Sequence, residues 1–183
     1  ERLTSQVMPM QRLIDGLLRY SSADSFNVRA VRVNLGRLIE ADWDLLEPPP
    51  TMVLNLPESF PPLVTAATPL RQCLRNLLEN AIKHHDREDG IVSVSCRDEG
   101  EFLRLEVKDD GPGVPQEYQS LVFNFLKTLR PHRDLDGPGL GLALVSKSGG
   151  RWGGRGGLRS KVGEGCIFWF TWPKNMPSLD PQL

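Results

Sequence analysis

Apolar and polar positions along the chain alternate between two periods, and the changes of period mark the elements. From Arg2 to Tyr20 the apolar residues Leu3, Val7, Met10, Leu13, Ile14, Leu17 and Leu18 recur at the spacing of one helical stripe, which predicts an amphipathic helix with Pro9 near its start. After the break at SSADS, Val28, Val31 and Val33 predict a short strand. Asn34 then caps a helix running to about Leu46, which the prolines at 48–50 stop. TMVLNL reads as a strand, and Pro57, Pro61 and Pro62 as a loop. The strongest helical signal follows, from about Thr68 to His84, with Leu70, Cys73, Leu74, Leu77, Leu78, Ala81 and Ile82 on one stripe.

The period then falls to two. IVSVSCRD and FLRLEVKD, separated by Glu99 to Glu101, predict a β-hairpin, and two further strands are expected near Gly154 to Ser160 and Cys166 to Trp172. The tail after Pro173 is rich in proline and polar residues and reads as disordered. Helices and mostly antiparallel strands in this order predict an α+β fold: a two-layer sandwich in which one mixed, mostly antiparallel sheet is covered on one face by helices.

Composition narrows the function. At 183 residues the chain suits one domain of ordinary size plus an appendage. With 22 basic and 23 acidic residues the net charge is -1, so no global field draws it to nucleic acid or an anionic membrane, and any anion site must be local. Cys73, Cys96 and Cys166 are odd in number and lack CxxC spacing. That argues against a disulfide framework or a zinc site and favours a reducing cytosol. No apolar run is long enough to span a bilayer, and no signal-peptide pattern opens the chain.

Candidate chemistry concentrates in three places. LRNLLENAIKH puts Asn76 and Asn80 one helical turn apart, with Glu79 beside them and Lys83 a turn further on. Asparagine is a poor interior helix former, but its amide oxygen suits Mg²⁺, which takes oxygen ligands alongside phosphates. Taken alone, Lys83, His84 and His85 read as an ordinary solvated face. DDGPGVP places Asp109 and Asp110 at the exit of a strand, where Gly111 and Gly113 turn the chain. GPGLGL, from Gly137 to Leu142, leads into an apolar helical run, so the amides of Gly139, Leu140, Gly141 and Leu142 can face phosphate. A carboxylate that accepts from a nucleobase amine and an amide-rich turn that approaches a polyanion together suggest a nucleotide pocket. Between the clusters, Phe123, Phe125 and Leu126 can anchor a lid whose Lys127, Arg130 and Arg133 pair with phosphate, although judged alone the segment reads almost equally as a basic solvated loop; His132 reads as a surface residue. Neither a P-loop nor a βαβ dinucleotide fingerprint is present.

In order and spacing these motifs resemble the catalytic and ATP-binding domain of sensor histidine kinases, within the GHKL ATPase superfamily shared with gyrase B and MutL. LRNLLENAIKH resembles the N box, KDDGPGVP the first glycine box, VFNFLKTL the phenylalanine box and DGPGLGLALV the second glycine box. RLIDGLLRYS resembles the second helix of the dimerization and histidine-phosphotransfer bundle. The resemblance implies a partial bundle helix at 1–24, an ATP-binding catalytic domain at 26–173 and a tail at 174–183. It further implies ATP and Mg²⁺ as cofactors, with Asn80 binding Mg²⁺, Asn76 and Lys83 near the phosphates, and His84 flanking the nucleotide. Asp109 would accept the adenine amino group on a turn shaped by Gly111 and Gly113. Gly137, Gly139, Leu140, Gly141 and Leu142 would hold the phosphates as the lid closes, aided by Lys127 and Arg130. Glu79 resembles the acid that activates water in hydrolysing cousins. The implied reaction is protein-histidine phosphorylation, for relay to a response regulator, in the cytoplasm, by a homodimer in its full-length form.

Some positions depart from that pattern. His84, His85 and His132 lack the context of a phosphoacceptor, so the acceptor is expected outside this chain. SGGRWGGRGGLRS follows the second glycine box, and Gly149, Gly150, Gly156 and Gly157 are expected to weaken the helix and the next strand by up to ~1 kcal/mol each. Ile167 stands where the family often has threonine, which is expected to remove a polar contact near adenine and reduce ATP affinity. Two other functions stay open on these residues: a GHKL ATPase of another class, and a nucleotide-binding module without turnover.

Overall fold

A computed structural model describes residues 29–123 and 141–175. The expected N-terminal helix, most of the lid, Gly137, Gly139 and Leu140, and the tail lie outside the described residues. Among the described residues the elements run β1 (Val31–Val33), α1 (Leu35–Leu45), β2 (Val53–Asn55), β3 (Leu63–Thr65), α2 (Ala67–Lys83), β4 (Ile91–Glu99) and β5 (Phe102–Asp109). They continue with α3 (Gln116–Gln119), α4 (Gly141–Arg151), β6 (Gly156–Ser160) and β7 (Cys166–Pro173).

Five strands form one sheet in the order β2-β4-β5-β7-β6, with β2 parallel to β4 and every other pairing antiparallel. The β4–β5 hairpin turns through Gly100, whose φ of 73° is the left-handed conformation that glycine adopts without steric cost. Strand alternation sends Leu103, Leu105 and Val107 of β5 and Phe168, Phe170 and Trp172 of β7 into the core. Against them α2 lays Leu70, Cys73, Leu74, Leu77, Leu78 and Ala81, all buried. This is the apolar stripe expected from the sequence, and each buried leucine contributes roughly 1.5–3 kcal/mol through removal of its surface from water.

Helix α1 starts where Asn34 Oδ1 accepts the Arg37 amide at 3.1 Å, and it packs on α2 with Leu35, Ile39 and Trp43 buried. Its Asp42 is fully buried, and Arg71 of α2 closes on Asp42 Oδ1 through Nε at 2.8 Å and an Nη at 2.7 Å. Asp42 Oδ2 has no hydrogen-bond partner among the described residues. The pair therefore fixes α1 to α2 more through geometry than through net energy, since burying a carboxylate offsets much of its attraction to the guanidinium.

One expectation is corrected. Residues 63–65, read as part of a proline-rich loop, form β3, which pairs antiparallel with β1 in a second, two-stranded sheet. Three residues behind Pro61 and Pro62 are too short a run for alternation to register, although Leu63 and Thr65 are buried and Val64 is exposed. Gly149 and Gly150, expected to weaken the helix, lie within α4, which runs to Arg151. Gly157 likewise lies within β6. A Cβ there would stand 2.5 Å from the Trp169 ring, so the bare backbone makes room for the indole on the face away from the helices, where the Arg104 guanidinium lies 3.9 Å from the ring centroid.

A buried bond joins the small sheet to the large one: Trp172 Nε1 donates to Thr65 Oγ1 at 2.7 Å, with both residues fully buried. Thr65→Val preserves shape but leaves the indole N–H unsatisfied. It should cost about 1–3 kcal/mol in urea-monitored unfolding, with circular dichroism of the folded protein unchanged.

Candidate functional site

The site grows from the two ends of α2 and the turn that follows β5. Because α2 commits one stripe to the core, its other stripe carries Asn76, Asn80 and Lys83, all half-buried, in a line that spans roughly 10 Å of helix. Asn76 Nδ2 donates to the carbonyl of Gly141 at 3.2 Å. Gly141 and half-buried Leu142 begin α4 among the described residues, so the N-box helix and the end of the second glycine cluster meet at this bond. Glu79 is exposed on the adjoining face of α2.

At the other end β5 delivers Asp109, whose side chain is buried at the sheet terminus. Oδ1 accepts the Gly111 amide at 3.0 Å and the Cys166 amide at 3.2 Å. Among the described residues both bonds fall on this one oxygen, which leaves Oδ2 for a ligand. Burial raises the Asp109 pKa above the usual carboxylate range, and the two amide bonds only partly oppose it.

Glycine is required here by close approach. Gly113 has φ of 73°, and a Cβ on it would lie 2.2 Å from the Lys161 carbonyl oxygen. Gly165, with φ of 80°, would place a Cβ 2.0 Å from the carbonyl oxygen of Asp109. The turn after β5 and the turn between β6 and β7 thus lie backbone against backbone. Ser160 Oγ joins them by accepting the Val114 amide at 2.8 Å and donating to the Gly165 carbonyl at 2.8 Å. Gln119 Nε2 bridges the same segments, donating at 2.9 Å to the carbonyls of both Val114 and Ser160.

Two sequence readings change. Ile167 does not stand near the Asp109 carboxylate: it pairs with Lys108 and Arg159, and strand alternation sends it to the face opposite Cys166 and Phe168. Cys166 is the residue beside Asp109. Its thiol lies 3.3 Å from Ser160 Oγ, and burial pushes its pKa up to about 11, so it is an inert, apolar neighbour. The second change concerns the histidines after α2. His84 is the exposed C-cap, but the His85 side chain is only 1% exposed and hydrogen-bonds Asp110, so it does not belong to a solvated face. No motif points to His85. Gly90 and Gly111, which flank its ring, become legible as a signal only once the backbone brings them together.

Of the phenylalanine box, Val122 is buried and Phe123 packs edge-on to Phe168, with centroids 6.4 Å apart. Lys127, Arg130, Gly137, Gly139 and Leu140 lie outside the described residues. An open groove of about 520 Å³ between Arg32 and Pro62 shares no residue with this site.

Comparison with known proteins agrees with this geometry. Residues 65–176 match the family model described as histidine kinase-, DNA gyrase B- and HSP90-like ATPase. The sensor histidine kinase AruS of Pseudomonas aeruginosa is 42% identical over 115 residues, which is 60% of this chain and 12% of that protein. Cyanobacterial phytochrome A of Nostoc is 30% identical over 169 residues, 90% of this chain and 22% of its own length. The adaptive-response sensory kinase SasA of Synechococcus elongatus is 26% identical over 94% of this chain and 46% of its own length. The chain therefore spans less than half of each of these relatives. Among solved structures, full-length ShkA in complex with AMPPNP superposes with a TM-score of 0.72 at 25% identity, covering 91% of this chain and 36% of ShkA. The mycobacterial sensor histidine kinase MprB, at 21% identity and TM-score 0.67, covers 80% of this chain and 100% of its own, and shares the fold. The chain belongs to the histidine kinase-, DNA gyrase B- and HSP90-like ATPase family, as a domain of the sensor histidine kinase type.

Proposed function

We propose that this chain is the ATP-binding catalytic part of a two-component sensor kinase. In this reading it binds Mg-ATP and passes the γ-phosphoryl group to a histidine on a bundle helix outside these 183 residues. The observation that carries the reading is Asp109: a buried acid at a strand end, with one oxygen tied by two backbone amides and the other left to accept from a ligand. An exocyclic adenine amine donates to such an oxygen, whereas a carbonyl at the same ring position would be repelled by it.

The rest of the nucleotide would extend along α2. Asn76 and Lys83 would lie near the phosphates, and Gly137, Gly139, Leu140, Gly141 and Leu142 would offer backbone amides to them. Lys127 and Arg130 would close over the triphosphate, and exposed His84 would flank the base. A half-buried amide oxygen on an otherwise apolar helix fits the donor chemistry of Mg²⁺. Among the described residues there is no cluster of three His, Cys, Asp or Glu to compete for the ion, so Asn80 would share it with phosphate oxygens and water. When bound, the metal neutralises charge on the β- and γ-phosphates.

In the transfer, the bond from the γ-phosphorus to the β-bridging oxygen breaks, a phosphorus–nitrogen bond forms to the acceptor imidazole, and ADP leaves. The chain's part is chiefly positioning, with Glu79 near the γ-phosphate. Within this chain His85 is buried and hydrogen-bonded on both ring nitrogens, which suits a structural role and leaves the acceptor to another segment. Among the described residues no helix is long and apolar enough to cross a membrane. A receiver domain of a response regulator and a second copy of the full-length kinase complete the proposed assembly.

Labelled ATP with Mg²⁺ and a separately supplied histidine-bearing bundle should yield acid-labile phosphate on the bundle. Phosphate release without transfer would instead identify a hydrolysing ATPase, and binding alone a module without turnover. Asp109→Asn replaces an acceptor with an amide that can oppose the adenine amine. It should weaken ATP at least tenfold and up to roughly 150-fold in calorimetric titration, the equivalent of about 1.5–3 kcal/mol.

Acid should separate binding from stability. The folded-state pKa of Asp109 is raised, so the folded protein holds this proton more tightly than the unfolded chain does. Its contribution to stability is therefore greatest below the unfolded value near 3.9 and is lost as pH rises through the folded value. Binding runs the other way: with Oδ1 occupied by two N–H donors, the proton resides on Oδ2, which then meets the adenine amine donor to donor. ATP affinity should fall on acidification at a higher pH than an ordinary aspartate would give, and the wild-type profile should disappear in Asp109→Asn.

A further inference from the structure

His85 follows the C-cap of α2, and its ring fills a slot with a wall of glycine on either side. A Cβ on Gly90 would stand 2.4 Å from the ring. On Gly111 it would stand 3.4 Å from His85 Cδ2 and 3.0 Å from Asp109 Oδ1. Gly111 is the residue whose amide holds that oxygen, so the ring packs directly against the peptide that aims the Asp109 carboxylate.

The ring's polar edge is engaged on both sides. Nε2 lies 2.9 Å from Asp110 Oδ1, while Nδ1 lies 3.0 Å from the Arg87 carbonyl and 3.2 Å from the Arg87 amide, with Asp86 Oδ1 at 3.6 Å. Asp110 Oδ1 also accepts the Ile91 amide at 2.7 Å. The Arg87 guanidinium donates to Asp110 Oδ2 at 2.8 Å and to its carbonyl at 3.0 Å. Burial works against the ionised form of Asp110, but the Ile91 and His85 bonds and the Arg87 charge outweigh it and hold the carboxyl below its usual range. The clasp gathers three segments: the exit of α2, the start of β4 and the turn after β5.

The His85 ring is buried while its partner Asp110 stays 40% exposed, and burying an imidazole has a desolvation cost that an apolar side chain in the same slot would avoid, so its presence calls for a reason beyond stability. We infer that His85 is a positioning residue for adenine recognition. Its bond to Asp110 and its packing between Gly90 and Gly111 fix the 109–111 peptide so that Asp109 presents Oδ2 to the exocyclic amine. His85 touches no part of the nucleotide in this arrangement and acts entirely through Asp109 and Gly111. The inference rests on the reading of Asp109 as the adenine acceptor.

The test compares ADP with its counterpart lacking the 6-amino group, purine riboside diphosphate, by calorimetric titration of the full chain with Mg²⁺. Wild-type protein should prefer ADP by about tenfold or more, as expected for a site built around a donor that the analogue lacks. His85→Leu keeps the bulk but removes both polar edges. It should weaken ADP selectively and leave the analogue nearly unchanged, collapsing the preference to about threefold or less. His85→Gln, whose amide can still donate to Asp110, should restore most of it. Should His85→Leu fail to fold, Asp110→Asn reads the same clasp and should lower the preference in the same direction. Equal weakening of both nucleotides, or an intact preference in His85→Leu, overturns the positioning role and leaves the Asp109 reading standing. A wild-type protein without any preference overturns the Asp109 reading itself, and this inference with it.

Discussion

The burial of one stripe of α2 against β5 and β7 is the constraint from which the rest of the molecule follows. Leu70, Leu74, Leu77 and Leu78 are fully buried, so the helix has essentially no rotational freedom on the sheet. Helix periodicity then decides where everything else on α2 must stand. Asn76, Asn80 and Lys83 fall on one half-buried line beside α4, Arg71 reaches back to Asp42 of α1, and the C-cap at His84 brings His85 to the sheet end. A hydrophobic interaction without directional preference therefore places a row of polar groups.

The second constraint is the pairing of a buried carboxylate with backbone donors. An unpaired carboxylate at the depth of Asp109 would be too costly to keep, and the amides of Gly111 and Cys166 reduce that cost without neutralising the charge. Because both donors bind one oxygen, the other stays available. The structure thus stabilises the acid and still leaves it able to recognise a ligand. That balance depends on close backbone approach, since any side chain at Gly165 would collide with the Asp109 carbonyl.

The glycines of the second half divide by what surrounds them. Gly157 gives its space to Trp169, and Gly113 and Gly165 give theirs to neighbouring carbonyls. Gly150 meets nothing within 4 Å, and α4 passes through it. Within the glycine-rich stretch that reads as a weakness in a linear sequence, Gly157 is thus a condition for close packing in space, while Gly150 is not.

Periodicity alone determined most of this fold. Long runs with a clear period, such as Thr68 to His84 or the paired stretches around Glu99 to Glu101, carry enough repeats to announce their elements, and the sheet covered by helices follows from their order. Motif order made the family legible, along with the candidate roles of Asp109 and Asn80. Three things were decided only in three dimensions. Strand β3 was hidden because three residues hold too few repeats to show alternation. Ile167 and Cys166 exchanged places relative to the expected pocket, because a strand's two faces are assigned by pairing partners, and the chain itself does not name those partners. His85 moved from the surface to the clasp behind the adenine turn, because its slot is built by Gly90 and Gly111, distant in pattern and close in space. Linear sequence records which surfaces can be buried; only the closed backbone determines which polar groups are buried with them.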